Sequence, residues 1–489
     1  MTGKTETGKL LMGRTELRRR GRAKHTAWWR RRPQTQTAAF WGRILLVLLF
    51  TVALPTVIDV WLAGVRPQAL LALHYFVSTV YAVTSLMLLW ETWAGWHAPQ
   101  APGAIAESDA LPPCTAVIAA YLPNEQGIIL ETLAHHLETV DVPPDRYEVV
   151  LAYNTPLDLP IEAELRDLAA REPRLRLLKV EGSRSKAENV NAALVDAIGE
   201  IVAVYDADHW PAPDCFRRAW AWLANGFDMV QGRCVIRNFA ENRLSRTVGV
   251  EFDGTYVISH QGRATLSGAG IFGGSNGYWR REALRETPLD PSMLTEDIDA
   301  SVRALLAGRR LAHDRNIVSE EQAPDKLRFW FSQRKRWSQG WLEVTLKHLR
   351  ALLASPHLRP GQKFLWLYLL AWGQIYPILS VQVLPLVLTA WLLGWSIHWF
   401  GNAYFIATSI ITLASGPFLL WAAYWRGALT ARPRPALALW YLLYGTVGLL
   451  YTSLKTLVTL VAQLSHVLRD RQWVTTPRAA PDTAVSSMP

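Results

Sequence analysis

Residues Ile201 to Trp210 read IVAVYDADHW. Ile201, Val202 and Val204 are β-branched, and the apolar run ends abruptly in Asp206-Ala207-Asp208. Such a run predicts one buried parallel strand, and the carboxyl end of a strand is where open α/β sheets gather ligand chemistry. Two carboxylates one residue apart can meet a single hard cation, Mg²⁺ or Mn²⁺, which takes oxygen ligands and leaves room for substrate phosphates. The competing reading is a turn whose aspartates cap the next helix. The stretch by itself leaves both open.

Outward from this strand, β-rich runs alternate with amphipathic stretches. Strands are predicted at Thr115–Ala120, Tyr147–Tyr153, Leu175–Val180, Ile201–Tyr205 and Met229–Ile236. Helices are predicted at Gln126–His136, Ile161–Arg171, Lys186–Ala197 and Asp214–Ala224. This alternation predicts an α/β unit over residues 98–361, with a mostly parallel sheet and helices on both faces.

Long apolar runs flank that unit. Phe40–Ala63 and Leu70–Trp90, joined by Gly64–Ala69, predict a transmembrane hairpin at 40–90. Residues 362–468 predict further membrane and interface helices. There, Ala436–Tyr451 reads as a short spanning candidate, and Thr452–Leu468 carries a polar stripe suited to an interface helix or to one lining a polar path through the bundle. Arginines on both sides of 436–468 leave the number of crossings open: either this stretch does not cross, or Phe364–Phe400 crosses twice.

The net charge is +10, but residues 1–40 hold eleven Lys/Arg against two Glu. The excess therefore belongs to a basic tail (1–39) near anionic lipid, with Trp28 and Trp29 beside the Arg30–Arg32 cluster, and excludes a nucleic-acid-binding face. The tail places the N-terminus and the α/β unit in the cytoplasm, at the plasma (inner) membrane. Cys114, Cys215 and Cys234 form no CxxC pair, which argues against a disulfide framework and a zinc site.

Five further stretches carry chemistry. Tyr121-Leu122-Pro123-Asn124-Glu125 follows the first strand and could hold a nucleoside, or be a proline turn. Ser185 is a fair N-cap for a helix opening with Lys186 and containing Asn189, and helix N-termini bind anions; the alternative is an ordinary capped helix. Phe272–Gly277, with Gly274, Ser275 and Asn276, lets backbone approach a ligand or simply turns. Within Thr295-Glu296-Asp297, Asp297 could cap the next helix or act as a general base. Gln333-Arg334-Lys335-Arg336-Trp337 sets cations beside indoles, as diphosphate binding needs and as a membrane-surface helix also would.

In this order the motifs resemble the processive family 2 glycosyltransferases, namely the cellulose, chitin and hyaluronan synthases and their bacterial relatives. The likeness runs from Leu111 to Gly340. It implies a GT-A nucleotide-sugar-binding domain held between membrane helices. D-x-D is matched by Asp206 and Asp208, followed by His209. T-E-D is matched by Thr295, Glu296 and Asp297, and Q-x-x-R-W by Gln333, Arg336 and Trp337.

The resemblance implies that Asp206 and Asp208 contact the donor diphosphate and its Mg²⁺ or Mn²⁺. Tyr121, Pro123, Glu125, Asn154, Lys186 and Asn189 would complete the donor side. Asp297, with Glu296, would deprotonate the acceptor hydroxyl. Gly274, Ser275, Asn276, Gln333, Arg336 and Trp337 would hold the acceptor end and the diphosphate. Trp473-Val474-Thr475-Thr476-Pro477-Arg478 is loosely similar to the family's gating loop, with Trp473, Thr476 and Arg478 at the matching positions, and such a loop needs the C-terminus inside.

One departure stands out. The family usually carries an Asp after the second strand, where this chain has Asn154. No room follows Arg478 for a cyclic-dinucleotide-binding domain. The expectation is a membrane-embedded inverting hexosyl- or N-acetylhexosaminyltransferase that extends a β-linked polysaccharide from a UDP-sugar. The alternatives are single transfer onto a lipid-linked acceptor, and a non-catalytic transporter or scaffold with a decayed donor site. No accessory secretion protein can be named from the residues.

Overall fold

In the computed structural model the described residues are 34–97, 101, 111–394, 402–427, 435–471 and 476. The basic clusters and Trp28–Trp29 of the tail lie outside them, as do Trp473 and Arg478.

Eight strands form one sheet: β1 (Cys114–Tyr121), β2 (Tyr147–Asn154), β3 (Leu175–Lys179), β4 (Ile201–Asp206), β5 (Trp210–Pro211), β6 (Met229–Ile236), β7 (Gly277–Arg280) and β8 (Leu311–Glu321). Their spatial order is β3-β2-β1-β4-β7-β6-β8-β5. β3, β2, β1 and β4 are mutually parallel, and β6 runs parallel to β8. β7 is antiparallel to both of its neighbours, and β5 to β8. The sheet is thus mostly parallel, as expected of a GT-A domain, with a reversed strand at its centre.

Period-2 alternation explains the two-sided burial. Ile201, Ala203 and Tyr205 enter one core, packed with the Cys215–Leu223 helix, while Val202 and Val204 enter the other, packed with the Lys186–Val195 and Glu296–Leu306 helices. Each of the branched side chains of β4 contributes about 1.5–3 kcal/mol by leaving water.

β5, β7 and β8 were absent from the sequence expectation. β8 hides its strand character behind polar residues that find partners inside. Asp314 accepts from Trp222 Nε1 at 2.8 Å, and a His313 ring nitrogen meets the Tyr256 carbonyl at 2.8 Å. A bulge at Gly232/Arg233 shifts the β6–β8 register. The first predicted helix also begins later, at Ile129 rather than Gln126, because the Tyr121–Glu125 stretch closes a short helical turn of its own at Leu122–Glu125.

Among the described residues, four helical segments are long and apolar enough to cross a membrane: Ala39–Val65, Pro67–Trp96, Pro360–Leu392 and Ala403–Gly427. The hairpin link is Arg66 alone, not Gly64–Ala69, since Pro67 starts the second helix immediately. Tyr75 packs on Tyr404 and Phe405, while Trp96 stacks on Trp421, so these two helices run side by side in the same direction. The Glu91–Arg263 pair at 3.0 Å ties the hairpin to the sheet domain.

The stretch expected to hold a short crossing and a polar-striped helix is one continuous helix, Pro435–Val467. It bonds both to the sheet domain and, through Gln463 Nε2 to the Gln374 carbonyl at 2.8 Å, to the Pro360–Leu392 segment. Tyr441 donates to Asp253, and Tyr451 and Lys455 both reach Glu251 at 2.7 Å. Ser338 and Thr459 lie 3.2 Å apart. The helix thus ties the sheet domain to the apolar helices.

Candidate active site

The carboxyl ends of β1, β2 and β4 lie flush, with Tyr121 beside Asn154 and Ala119 beside Asp206. Asp206 remains 41% exposed, whereas Asp208 is buried and accepts from the Gln322 amide at 2.9 Å through Oδ2. Arg237 donates to the Asp208 carbonyl at 3.3 Å. Behind them the buried His209 ring is held by Ser319 Oγ at 3.0 Å and Glu321 Oε2 at 2.9 Å. His209, Cys234 and Glu321 can also approach one cation, but the imidazole and the carboxylate already bond to each other.

Ser185 and Glu188 form a full capping box, which fixes the start of the Lys186–Val195 helix. Lys186 projects from that start, pairs with Asp206 and donates to the Gly274 carbonyl at 2.6 Å. Burial works against its charge, but the carboxylates of Asp206 and Glu296 outweigh burial and raise its pKa.

The glycine-dense loop is built by side chains. Gln231 accepts from the Gly273 amide at 2.8 Å and donates to the Ser275 carbonyl at 2.9 Å. Ser275 Oγ receives the Asp206 amide at 3.1 Å. Asn276, in the left-handed region at φ 54°, donates to the Arg233 carbonyl at 2.9 Å. Asn276 is thus a structural tie between β6 and β7, and Ser275 and the Gly274 carbonyl are the parts of the loop that reach the strand end.

Asp297 stands in the first turn of the Glu296–Leu306 helix, its Oδ1 accepting the Ile298 amide at 2.8 Å. Burial and the neighbouring Glu296 carboxylate push its pKa up to about 7, against the pull of that amide and of Lys186 and Arg336. A carboxylate poised near neutrality is suited to accept a proton. The N-cap, Thr295, makes no side-chain cap bond.

Gln333, Arg336 and Trp337 sit at i, i+3 and i+4 on the Leu327–Ala354 helix and so share a face. Arg336 donates to the Leu294 carbonyl at 2.9 Å, just before the Thr295–Asp297 turn. The buried Gln333 Oε1 has no hydrogen-bond partner among the described residues. The intervening residues point elsewhere: Arg334 pairs with Glu251 at 2.7 Å and lies 4.2 Å over Trp337, and Lys335 pairs with Asp470 at 3.2 Å.

On the donor side, Asn154 accepts from Asn189 at 2.9 Å and donates to the Ser183 carbonyl at 3.0 Å. Asn124, between Pro123 and Glu125, donates to the Thr476 carbonyl at 2.9 Å. Thr476 therefore lies at the first strand's end.

The structure brings Lys186, Asp206, Gly274, Ser275, Glu296, Asp297 and Arg336 into one electrostatic neighbourhood. Sequence reasoning missed Gln231, Arg237, Glu321, Gln322 and Glu251. The polar run Ser319–Gln322, which closes β8 after Ile317 and Val318, was the available signal for two of them.

The description "Glycosyl transferase family group 2" matches residues 201–464, just over half of the chain. The chain belongs to this family. It is a family 2 glycosyltransferase, and Asp206, Asp208, Thr295–Asp297 and Gln333–Trp337 sit inside the matched region.

This family 2 glycosyltransferase is 27% identical over 298 residues to a β-monoglucosyldiacylglycerol synthase from Synechocystis sp., covering 58% of the chain and 61% of that protein. It is 28% identical over 173 residues to glucomannan 4-β-mannosyltransferase 7 from Arabidopsis thaliana, covering 35% of the chain and 31% of that protein. The matches thus span less than two thirds of either relative. Among solved structures, a mannosyltransferase from Pyrobaculum calidifontis in complex with GDP-Man and Mn²⁺ aligns with a TM-score of 0.51 at 22% identity, over 82% of this chain and 99% of that one. This likeness establishes the fold.

Proposed function

We propose that this enzyme is an integral membrane protein of the plasma (inner) membrane whose cytoplasmic GT-A domain transfers a sugar, with inversion, from a nucleotide sugar to a growing β-linked polysaccharide. The observation that carries the reading is Asp297, a near-neutral carboxylate in the same charged neighbourhood as the Lys186–Asp206 pair.

Asp206 and Asp208 supply only oxygen ligands from one strand end, and Asp206 is still open to solvent. That donor set fits Mg²⁺ or Mn²⁺, which accepts one or two carboxylates and completes its shell with phosphates and water. When bound, the cation would offset charge on the leaving diphosphate. Lys186 and Arg336 add fixed positive charge beside it. Asp297 takes the proton of the acceptor hydroxyl as the acceptor oxygen bonds to the anomeric carbon. The bond from that carbon to the diphosphate breaks, and the nucleoside diphosphate leaves with the electron pair.

The bond from Asn124 to the Thr476 carbonyl supports the polysaccharide reading, because Thr476 is one of the gating-loop-like positions and Asn124 lies at the end of β1. A second reading is transfer to a lipid acceptor. It is favoured by the name of the Synechocystis relative, which matches more of this chain than the mannosyltransferase does.

Washed membranes given a panel of UDP- and GDP-sugars with Mg²⁺ or Mn²⁺ test the proposal. A metal-dependent polymer that resists organic extraction is expected. A product that partitions wholly into organic solvent would select the lipid acceptor, and no transfer from any donor would overturn the assignment.

A further inference from the structure

A groove of about 560 Å³ lies between the Arg243–Asp253 helix and the Pro435–Val467 helix. Its walls include Val250, Trp440, Leu443 and Tyr451, and two cations, Arg243 and Arg246, line it as well; among the described residues no carboxylate does. Arg246 lies 5.1 Å over Trp440 and donates to the Ala240 carbonyl at 3.1 Å. Arg243 is exposed, and its guanidinium has no hydrogen bond or ion pair among the described residues.

The same helix turns a stripe of exposed leucines outward: Leu439 (54%), Leu442 (68%), Leu443 (40%) and Leu450 (73%). Steps of three, four and seven place them on one face, while Tyr441, Tyr451 and Lys455 bond to the sheet domain. An apolar stripe of this kind on a helix lying along a membrane protein is a lipid-facing surface. The groove therefore combines apolar walls, continuity with that surface and two guanidiniums with no acid to neutralise them.

We propose that this groove holds an anionic glycerophospholipid, its acyl chain against Trp440 and Leu443 and its phosphate between Arg243 and Arg246. Charge complementarity selects the headgroup, because guanidinium pairs with phosphate oxygens through two parallel hydrogen bonds. The site rests on the membrane placement proposed above and is independent of which acceptor the enzyme uses.

The bound lipid would brace the acceptor motif. Tyr451, a wall of the groove, donates to Glu251 at 2.7 Å and accepts from Trp330 Nε1 at 2.8 Å. Glu251 pairs with Arg334, and Arg334 covers Trp337. Three contacts thus link the groove to the helix carrying Gln333, Arg336 and Trp337.

The test uses the full chain in phosphatidylcholine nanodiscs, doped with phosphatidylglycerol or phosphatidylcholine that carries a photoreactive acyl chain, with peptide mapping of the adducts. The phosphatidylglycerol probe is expected to label residues 243–253 and 439–451 preferentially. R243Q and R246Q should each lower that labelling by about five-fold, the scale of one cation at an anionic lipid surface. T247W, which fills the groove, should abolish labelling there by both probes and carries the test should an arginine variant not fold. Millimolar inorganic phosphate should not compete. Equal labelling by both probes, labelling unmoved by T247W, or displacement by free phosphate would each overturn the proposal.

Discussion

A Cβ built on Gly274 would stand 2.7 Å from Asp297 Oδ2, and Gly274 has a φ of +88°. The loop and the candidate base are therefore packed to the limit that only glycine permits. G274A must displace the Asp297 carboxylate or deform the loop that carries the Lys186 acceptor. Turnover is expected to fall about 10²-fold, the loss that follows small misplacement of a reacting group. Initial rates at saturating donor check this, and wild-type turnover would show that Asp297 needs no such placement.

Asp297 also sets a pH dependence. With its pKa pushed up to about 7, the base is mostly protonated at pH 6, so kcat/KM should fall roughly ten-fold per unit below about pH 7. D297N should lose about 10²–10⁴-fold in turnover with donor affinity kept. Linkage gives a second, independent sign. The folded pKa lies above the ordinary 3.8, so the folded state holds the proton more tightly, and stability falls as pH rises from about 4 to 7. D297N removes that penalty and should raise Tm at pH 8 but not at pH 4. Melting curves at the two values check it.

Lys186 neutralises Asp206 before any cation arrives. K186M should therefore bind Mn²⁺ alone more tightly while losing about 10²-fold in kcat/KM, since the positive charge beside the leaving diphosphate is gone. Paramagnetic titration and steady-state rates read the two effects. Weaker Mn²⁺ binding in the variant would mean that Lys186 organises the carboxylates rather than competing for them.

Asn154 stands where the resembling synthases carry Asp, yet N154D is not expected to improve donor binding. The amide group both donates to the Ser183 carbonyl and accepts from Asn189, and a carboxylate can only accept. An oxygen facing the Ser183 carbonyl should cost about 1–3 kcal/mol. Thermal unfolding and donor KM measured together check this, and a lower KM at unchanged Tm would contradict it.

Glu251 is the anchor between the sheet domain and the interface helices. The Arg334 and Lys455 cations, after overcoming burial, hold its carboxyl down at about 2, and Tyr451 donates to it as well. This contribution is present above the ordinary value of 4.5 and is lost as pH falls toward 2. E251Q leaves Arg334 buried without its counter-charge, a loss of about 3–5 kcal/mol. Faster hydrogen exchange across 435–467 at pH 7 is the expected reading.

The four strands around IVAVYDADHW were legible because each is a short apolar run ending at a turn, and the capped start of the Lys186 helix was legible from Ser185. β7 and β8 were not. β7 is four residues long, and β8 carries His313, Asp314, Arg315 and Asn316, whose partners come from distant elements. The Q-x-x-R-W spacing already implied one helical face, but not that Arg334 and Lys335 would turn to Glu251 and Asp470.

Local chemistry alone thus determined the α/β class, the apolar flanks and the residue types of the site, because strand period, helix caps and hydropathy act over a few neighbours. Tertiary structure decided which groups meet. Asp206 faces Lys186, Asp297 abuts Gly274, and the Pro435–Val467 helix ties to the sheet domain through Asp253 and Glu251. Those pairings depend on how far-separated segments pack around the strand that ends in Asp206. They also show what IVAVYDADHW alone does not: Asp208 is held by the Gln322 amide just past the end of β8, while Asp206 stays open beside a lysine.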